Sequence, residues 1–138
     1  MSKQIKNKKK ILWVEDEQAL INLYKDAIGT MKNVEFEFMQ LGQQAIDRMK
    51  EIQEGKAEKP DLIMLDLLLP DINGDKVCEA VRNTPATRDI PVFVLTNYTG
   101  EQMEDKMTED LNAEEYLVKT VWGPLKLIPL LEKTLGLS

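Results

Sequence analysis

The chain has 138 residues, 43% of them hydrophobic, and its formal net charge is −6 at pH 7. This length and composition predict one domain with a buried core and exclude a disordered chain. The negative charge disfavours nucleic acid as the main partner, because proteins bind nucleic acid by neutralising its phosphates with basic side chains.

The N-terminal stretch is rich in lysine. Residues 1–9 predict a basic flexible tail, followed by a single domain over residues 10–138. No apolar region follows the basic residues, so the stretch does not predict a signal peptide. No apolar run approaches the ~18 residues that a membrane-spanning helix needs. We therefore expect a cytoplasmic protein.

Apolar runs and amphipathic stretches alternate along the rest of the chain. Continuous or alternating apolar residues predict strands at residues 11–14, 34–39, 62–65, 91–95 and 116–118. Helical spacing predicts helices at residues 20–31, at 45–52, from about 75, from a capping box at 99–102 through 111, and finally up to Gly136. Five repeats of strand and helix predict an α/β fold with a parallel sheet covered on both faces.

Polar side chains follow four of the predicted strands. The first strand ends at Glu15 and Asp16, the third at Asp66, the fourth at Thr96 and the fifth at Lys119. Parallel strands all end at one edge of their sheet, where ligands bind, so we expect these side chains to share a site. Each alone could be a helix cap, a strand end or a surface lysine. Their joint position at one edge favours the common site.

The residue types indicate what this site would bind. Three clustered carboxylates repel each other and need a cation or raised pKa values. The sequence has no histidine and one cysteine, Cys78, which we interpret as a core thiol. A site whose ligands are all oxygen atoms favours Mg²⁺, or Mn²⁺, over zinc. A carboxylate can also act as a nucleophile and form an aspartyl phosphate, which Lys119 and Thr96 would then contact.

Four segments, in this order, resemble the receiver domain of bacterial two-component response regulators: ILWVEDE, DLLLPDINGDKV, IPVFVLTN and EYLVK. The resemblance extends from about Lys10 to Leu135. It implies a flavodoxin-like, doubly wound (βα)5 fold whose five-stranded parallel sheet has the order 2-1-3-4-5.

The resemblance also implies a role for each site residue. Asp66 would be the phosphoacceptor. Asp16 would bind Mg²⁺ directly and Glu15 mainly through water, with the backbone carbonyl of Leu68 as a further ligand. The remaining roles are a phosphoryl contact for Lys119, a phosphoryl contact and switch for Thr96, and an aromatic switch for Tyr116.

A stand-alone receiver is the function that the resemblance implies. A sensor histidine kinase or a phosphotransfer protein would donate the phosphoryl group, and a downstream protein would be the target. The receiver would catalyse its own phosphorylation and dephosphorylation without being an enzyme in the usual sense. No nucleic-acid contact and no membrane span are expected.

Three other functions compete with this interpretation. An aspartyl-phosphate phosphohydrolase of the haloacid-dehalogenase type usually has a second carboxylate two residues after the nucleophile, where this chain has Leu68. A receiver-like scaffold that is not phosphorylated would be expected to lose the acidic pair, the acceptor or the lysine. A flavodoxin-type FMN carrier needs a hydroxyl-rich loop after the first strand, where this chain has VEDEQAL.

The sequence departs from the family pattern at three places. Thr120 follows Lys119 where proline, often after a cis bond, is usual, and Asn97 follows Thr96 where a small residue is usual. In the last helix, Pro124 can occupy the first turn, whereas Pro129 is expected to kink or delay the helix.

Overall fold

The computed structural model describes residues 8–137, in which five strands alternate with five helices. The strands are β1 (Lys9–Val14), β2 (Val34–Met39), β3 (Leu62–Leu65), β4 (Val92–Thr96) and β5 (Glu115–Val118). The helices are α1 (Gln18–Ile28), α2 (Gly42–Gln53), α3 (Gly74–Asn83), α4 (Glu101–Asp105) and α5 (Pro124–Leu135). A π-helical segment, Lys106–Asp110, continues α4.

The strands form one parallel sheet of order β2-β1-β3-β4-β5, which confirms the predicted fold class and strand order. Val14, the last residue of β1, lies opposite Met39 of β2 and Leu65 of β3. Leu65 in turn lies opposite Val94 of β4. The C-terminal ends of the central strands are therefore level with one another, and the residues after them face the same edge.

Each face of the sheet has its own hydrophobic cluster. On one face, α2, α3 and the π-helical segment cover side chains such as Leu65 and Val94. On the other face, α1 and α5 cover side chains such as Trp13 and Met64. Burial on both faces explains why the central strands read as continuous apolar runs. Cys78 lies in the first cluster with no exposed surface, as predicted for a core thiol.

The first strand begins earlier than the sequence indicated. Strand β1 begins at Lys9, which the sequence analysis placed in the tail. The Lys9 amide donates to the Asn33 carbonyl oxygen at 2.9 Å, so the sheet includes this residue. The rest of the predicted tail up to residue 7 lies outside the described residues. No helix within residues 8–137 is long and apolar enough to cross a membrane.

The capping box predicted at Thr99–Gln102 is wrong. The residue before α4 is Gly100, which has an extended backbone, and no side chain caps the helix there. The helix also changes its hydrogen-bond spacing at its end, where the Leu111 amide donates to the Lys106 carbonyl oxygen at 3.0 Å. That spacing of five residues defines the π-helical segment.

The last helix is not delayed by its internal proline. Helix α5 begins at Pro124, as predicted, and runs through Pro129 to Leu135. Pro129 cannot donate to the carbonyl of Leu125, but both residues are exposed, so water can satisfy that carbonyl. Among the described residues no peptide bond is cis, including the bond between Lys119 and Thr120.

Candidate functional site

Backbone hydrogen bonds extend the sheet by one residue beyond the strand ends. The Glu15 amide donates to the Met39 carbonyl oxygen at 2.9 Å, and the Asp66 amide donates to the Val14 carbonyl oxygen at 3.0 Å. The Lys119 amide donates to the Thr96 carbonyl oxygen at 2.9 Å. These contacts fix the site residues at the edge that the periodicity predicted.

Lys119 lies between two of the predicted carboxylates. Its Nζ is 2.7 Å from Oδ2 of Asp66 and 2.7 Å from Oε1 of Glu15. A third carboxylate, that of Glu17, lies 3.9 Å away. The side chains of Lys119, Asp66 and Glu15 are 7%, 5% and 0% exposed, so these charges are held out of bulk water.

Burial and neighbouring charges shift two pKa values in this cluster. Burial, reinforced by the charge of Asp66, raises the pKa of Glu15 although Lys119 opposes the shift. Burial lowers the pKa of Lys119, but the hydrogen bond to Asp66 and the attraction to Asp66 and Glu15 outweigh burial and raise that pKa. Lys119 therefore stays charged at neutral pH and compensates the carboxylates.

The carboxylates of Glu15, Asp16 and Asp66 form a group that fits a metal ion. One oxygen from each lies within 4.8 Å of the other two. Oε1 of Glu15 is buried and accepts no well-aligned hydrogen bond from the described residues, although Lys119 lies close to it. Asp16 is partly exposed, which leaves the group open to solvent. A hard cation with oxygen ligands, Mg²⁺ or Mn²⁺, suits this donor set.

Thr96 and Tyr116 are connected through Tyr98. The buried hydroxyl oxygen of Thr96 accepts a hydrogen bond from the Tyr98 amide at 3.1 Å. The half-buried Tyr116 donates its hydroxyl proton to the carbonyl oxygen of the same residue at 2.9 Å. Burial raises the pKa of Tyr116 to about 12, so its hydroxyl remains a donor at neutral pH. The two predicted switch residues thus hold the same loop after β4.

The loop after Asp66 turns tightly around its backbone. The Leu68 amide donates to Oδ1 of Asp66 at 3.1 Å, while half of the Leu68 side chain is exposed. Gly74 packs on the same loop, and a Cβ atom there would overlap the carbonyl oxygen of Asp66. The close approach of the two backbones therefore requires glycine at this position for steric reasons.

Three residues near the site were not predicted. Glu17 lies near Lys119, as described above. Gln40 donates its side-chain amide to the carbonyl oxygen of Asp16 at 3.1 Å. Asp71 accepts from the Gly42 and Gln43 amides at 2.8 and 2.9 Å. Burial opposes ionisation of Asp71, but backbone amides outweigh it and lower the pKa of this carboxyl.

The fold and its strand order define a flavodoxin-like α/β protein, and one edge of its sheet gathers three carboxylates, a lysine and a threonine. The sequence matches the model of the response regulator receiver domain over residues 11–131. The chain therefore belongs to the response regulator receiver domain family.

Three known proteins illustrate the similarity. The phosphate regulon transcriptional regulatory protein PhoB of Rhizobium meliloti (strain 1021) is 33% identical over 115 residues, which are 83% of this chain and 47% of PhoB. The Mn²⁺-bound response regulator Rcp1 is 28% identical with a TM-score of 0.77. The phosphorylated cyanobacterial phytochrome response regulator RcpA is also 28% identical, with a TM-score of 0.76. Each structural comparison covers 91% of this chain and 92% of the other.

The similarity to curated relatives concerns only part of their length. The chain spans 32% and 47% of the first two curated relatives that it matches. The matched region is therefore the receiver part of these proteins, and the activities of their remaining regions are not transferred to this chain.

Proposed function

We propose that Asp66 accepts a phosphoryl group from a histidine kinase or phosphotransfer protein in a Mg²⁺-dependent reaction, and that this reaction switches protein contacts. The observation that carries the proposal is the 2.7 Å contact between Lys119 Nζ and Asp66 Oδ2, beside the carboxylates of Glu15 and Asp16. The contact places a fixed positive charge where the oxygens of an incoming phosphoryl group would gather negative charge.

The reaction forms one bond and breaks one. A carboxylate oxygen of Asp66 attacks phosphorus, and the bond from phosphorus to the donor nitrogen breaks, leaving its electron pair on the donor imidazole. Lys119 moves from a carboxylate partner to a phosphoryl oxygen over a short distance, because it already contacts Asp66. Mg²⁺ held by Asp16, Asp66, the Leu68 carbonyl and, through water, Glu15 would supply charge neutralisation for the phosphoryl oxygens.

Phosphorylation changes the charge of the site by about one unit. Three carboxylates contribute about −3, which Mg²⁺ and Lys119 together would balance. An acyl phosphate carries about −2 where Asp66 carried −1. The hydroxyl of Thr96 is the donor placed to respond, and its hydrogen-bonded neighbour Tyr98 would transmit the movement to Tyr116. Thr96 and Tyr116 are therefore the proposed switch residues.

Similarity to Rcp1 and RcpA, both response regulators, supports the receiver function in this proposal. The Rcp1 structure is a Mn²⁺-bound form and the RcpA structure is phosphorylated, which supports metal binding and phosphorylation here by similarity. The cytoplasm is the proposed compartment, and a phosphoacceptor switch that catalyses its own phosphorylation and dephosphorylation is the proposed class.

The proposal is tested by incubating the purified chain with acetyl phosphate and Mg²⁺ and mapping any modification by mass spectrometry. We expect one phosphoryl group, located on Asp66. A phosphoryl group located on another residue would refute the assignment, and no modification with either acetyl phosphate or a phosphorylated phosphotransfer protein would favour the scaffold alternative.

Bound metal is expected to raise the melting temperature of the domain. A ligand that binds only the folded state at about 100 times its dissociation constant stabilises that state by about 2.7 kcal/mol. The measurement compares thermal unfolding in millimolar Mg²⁺ and in chelator. The shift should be reduced in Asp16→Asn and retained in Asp26→Asn, which removes an exposed carboxylate of α1. Equal shifts in these two variants would contradict the assigned ligand.

The aspartyl phosphate is expected to hydrolyse slowly. Leu68 and Tyr98 lie two residues beyond Asp66 and Thr96, are 50% and 40% exposed, and lack a carboxylate or amide that could orient water. Losing a positioned water costs on the order of 10²-fold in rate. Decay of the phosphorylated protein in Mg²⁺ should therefore accelerate, by up to about 10²-fold, in the double variant Leu68→Asn with Tyr98→Glu.

A matched control separates this effect on the decay rate from the effect of replacing any exposed leucine by asparagine. Leu23 is 48% exposed on α1, and Leu23→Asn should decay at the wild-type rate. If the double variant also decays at the wild-type rate, the side chains of Leu68 and Tyr98 do not control water access.

A further inference from the structure

The residues that connect β2 to the first turn of α2 contact both loops that carry the proposed metal ligands. We call residues 40–43 the bridging turn. On one side it meets the loop after β1, which holds Glu15 and Asp16. On the other side it meets the loop after β3, which begins at Asp66. Nothing in the sequence pattern of the turn indicated this position, because its partners are 22 to 29 residues away.

The first contact holds the loop after β1. Nε2 of Gln40 donates to the backbone carbonyl oxygen of Asp16 at 3.1 Å and lies 3.3 Å from Oε1 of Gln18. Gln40 follows directly after Met39, whose carbonyl accepts from the Glu15 amide. The loop is therefore held at two successive residues, Glu15 by the end of β2 and Asp16 by the bridging turn, and both are predicted metal ligands.

The second contact holds the loop after β3. Asp71 accepts from the amides of Gly42 and Gln43 at 2.8 and 2.9 Å, one oxygen to each. These amides belong to the first turn of α2, where an ionised carboxylate is favoured. A Cβ atom at Gly42 would lie 2.6 Å from a side-chain carbon of Ile72, so the helix end also packs directly on this loop.

We propose that Gln40 and Asp71 are positioning residues that hold the two ligand-bearing loops at the separation that the metal ion requires. The inference rests on the proposed function, because it assumes that Glu15, Asp16 and Asp66 bind Mg²⁺. Without metal, the like charges on the two loops repel one another and push the loops apart. Lys119 is the cation that directly opposes this repulsion. A bridge between the loops keeps the site assembled before the metal arrives.

If the two residues form one bridge, the effects of replacing them on Mg²⁺ affinity should not be additive in free energy. Groups that orient metal ligands typically change metal affinity by roughly 10- to 100-fold. Because Gln40 and Asp71 act on loops and not on ligand side chains, we expect Gln40→Met and Asp71→Ala each to weaken Mg²⁺ binding about 10-fold. Either change detaches one end of the bridge. The double variant should therefore also bind about 10-fold more weakly than wild type, whereas independent effects would multiply to about 100-fold.

The experiment is a calorimetric titration of each variant of the 138-residue chain with Mg²⁺ alone at 25 °C. Two controls remove similar groups from α2 without touching either loop. Gln53→Met removes a side-chain amide at the far end of α2 that accepts from the Ala86 amide, and Asp47→Ala removes a carboxylate from the same helix. Both should bind Mg²⁺ as wild type does. Circular dichroism in chelator checks that each variant is folded, and Asp71→Asn replaces Asp71→Ala if the latter is not.

The outcomes distinguish this inference from the proposed function. Wild type that binds no Mg²⁺ would overturn the metal site and the inference with it. Wild-type binding, with unchanged affinity in Gln40→Met and in the Asp71 variant, would overturn the inference alone. Losses in both that multiply in the double variant would also overturn it, because the two residues would then act separately and not as one bridge.

Discussion

Asp66→Asn is expected to abolish phosphorylation of the protein by acetyl phosphate in Mg²⁺. The amide that replaces the carboxylate keeps the shape of the side chain but has no anionic oxygen to attack phosphorus. It also removes the ion pair that brings Lys119 to within 2.7 Å of the acceptor. Intact-mass spectrometry measures the result as the presence or absence of one added phosphoryl group.

The same strand supplies a matched control. Asp61 directly precedes β3, at the opposite edge of the sheet from Asp66, and its carboxylate accepts from the Lys10 amide at 2.8 Å. Asparagine can still accept that bond, so Asp61→Asn should be phosphorylated as wild type is. Equal mass increases in Asp61→Asn and Asp66→Asn would show that Asp66 is not the acceptor.

Lys119→Met is expected to reduce the free energy of unfolding in chelator by about 3 kcal/mol or more. The side chains of Glu15 and Asp66 are 0% and 5% exposed, and Lys119 is the cation in contact with both. Removing one partner of a buried ion pair leaves an uncompensated buried charge, which is strongly destabilising. Urea unfolding at pH 7 in chelator measures the loss, and adding Mg²⁺ should stabilise the variant more than wild type.

The loss should also depend on pH in a defined direction. Burial raises the pKa of Glu15 in the folded protein, and removing Lys119 takes away a group that opposes this shift. A carboxyl whose pKa is raised by folding destabilises the folded state at pH values above its unfolded-state pKa. The effect disappears at lower pH, where the carboxyl is protonated in both states. The difference between wild type and Lys119→Met should therefore shrink as the pH falls from about 7 towards the ordinary pKa of glutamate.

A surface lysine is the control for both measurements. Lys56 forms an ion pair with Glu54, but its side chain is 71% exposed. Exposed ion pairs contribute little to stability, so Lys56→Met should change the unfolding curve only slightly and without pH dependence in this range. If Lys119→Met behaves like Lys56→Met, the buried charges are not held by Lys119.

Local pattern was enough to predict the sheet and the residues at its edge. The strands β1, β3 and β4 are buried on both faces, which leaves a continuous apolar run that ends at the polar residues of the site. Parallel pairing then brings Glu15, Asp66 and Thr96 to one edge, since β1, β3 and β4 are neighbours in the sheet. The shared edge follows from the sequence pattern and the geometry of a parallel sheet, whereas the strand order was implied by the resemblance to receiver domains.

Contacts between segments that are distant in sequence could not be predicted from local pattern. Gln40 and Asp71 are exposed polar residues whose importance depends on partners elsewhere in the chain. The capping box failed for a related reason, because an extended Gly100 moved the start of α4 past Thr99. The missing hydrogen bond of Pro129 predicted a kink or a delayed helix. The Leu125 carbonyl that it leaves free belongs to an exposed residue of α5, so water can satisfy it.

The buried thiol of Cys78 makes the protein well suited to labelling experiments. It is the single cysteine of the chain, it has no exposed surface, and burial raises its pKa to about 11. Thiol reagents attack an accessible thiolate, so Cys78 reacts only when the domain opens, and its alkylation rate reports that opening. A second cysteine placed on the surface would then carry a fluorophore or spin label without first removing the native one.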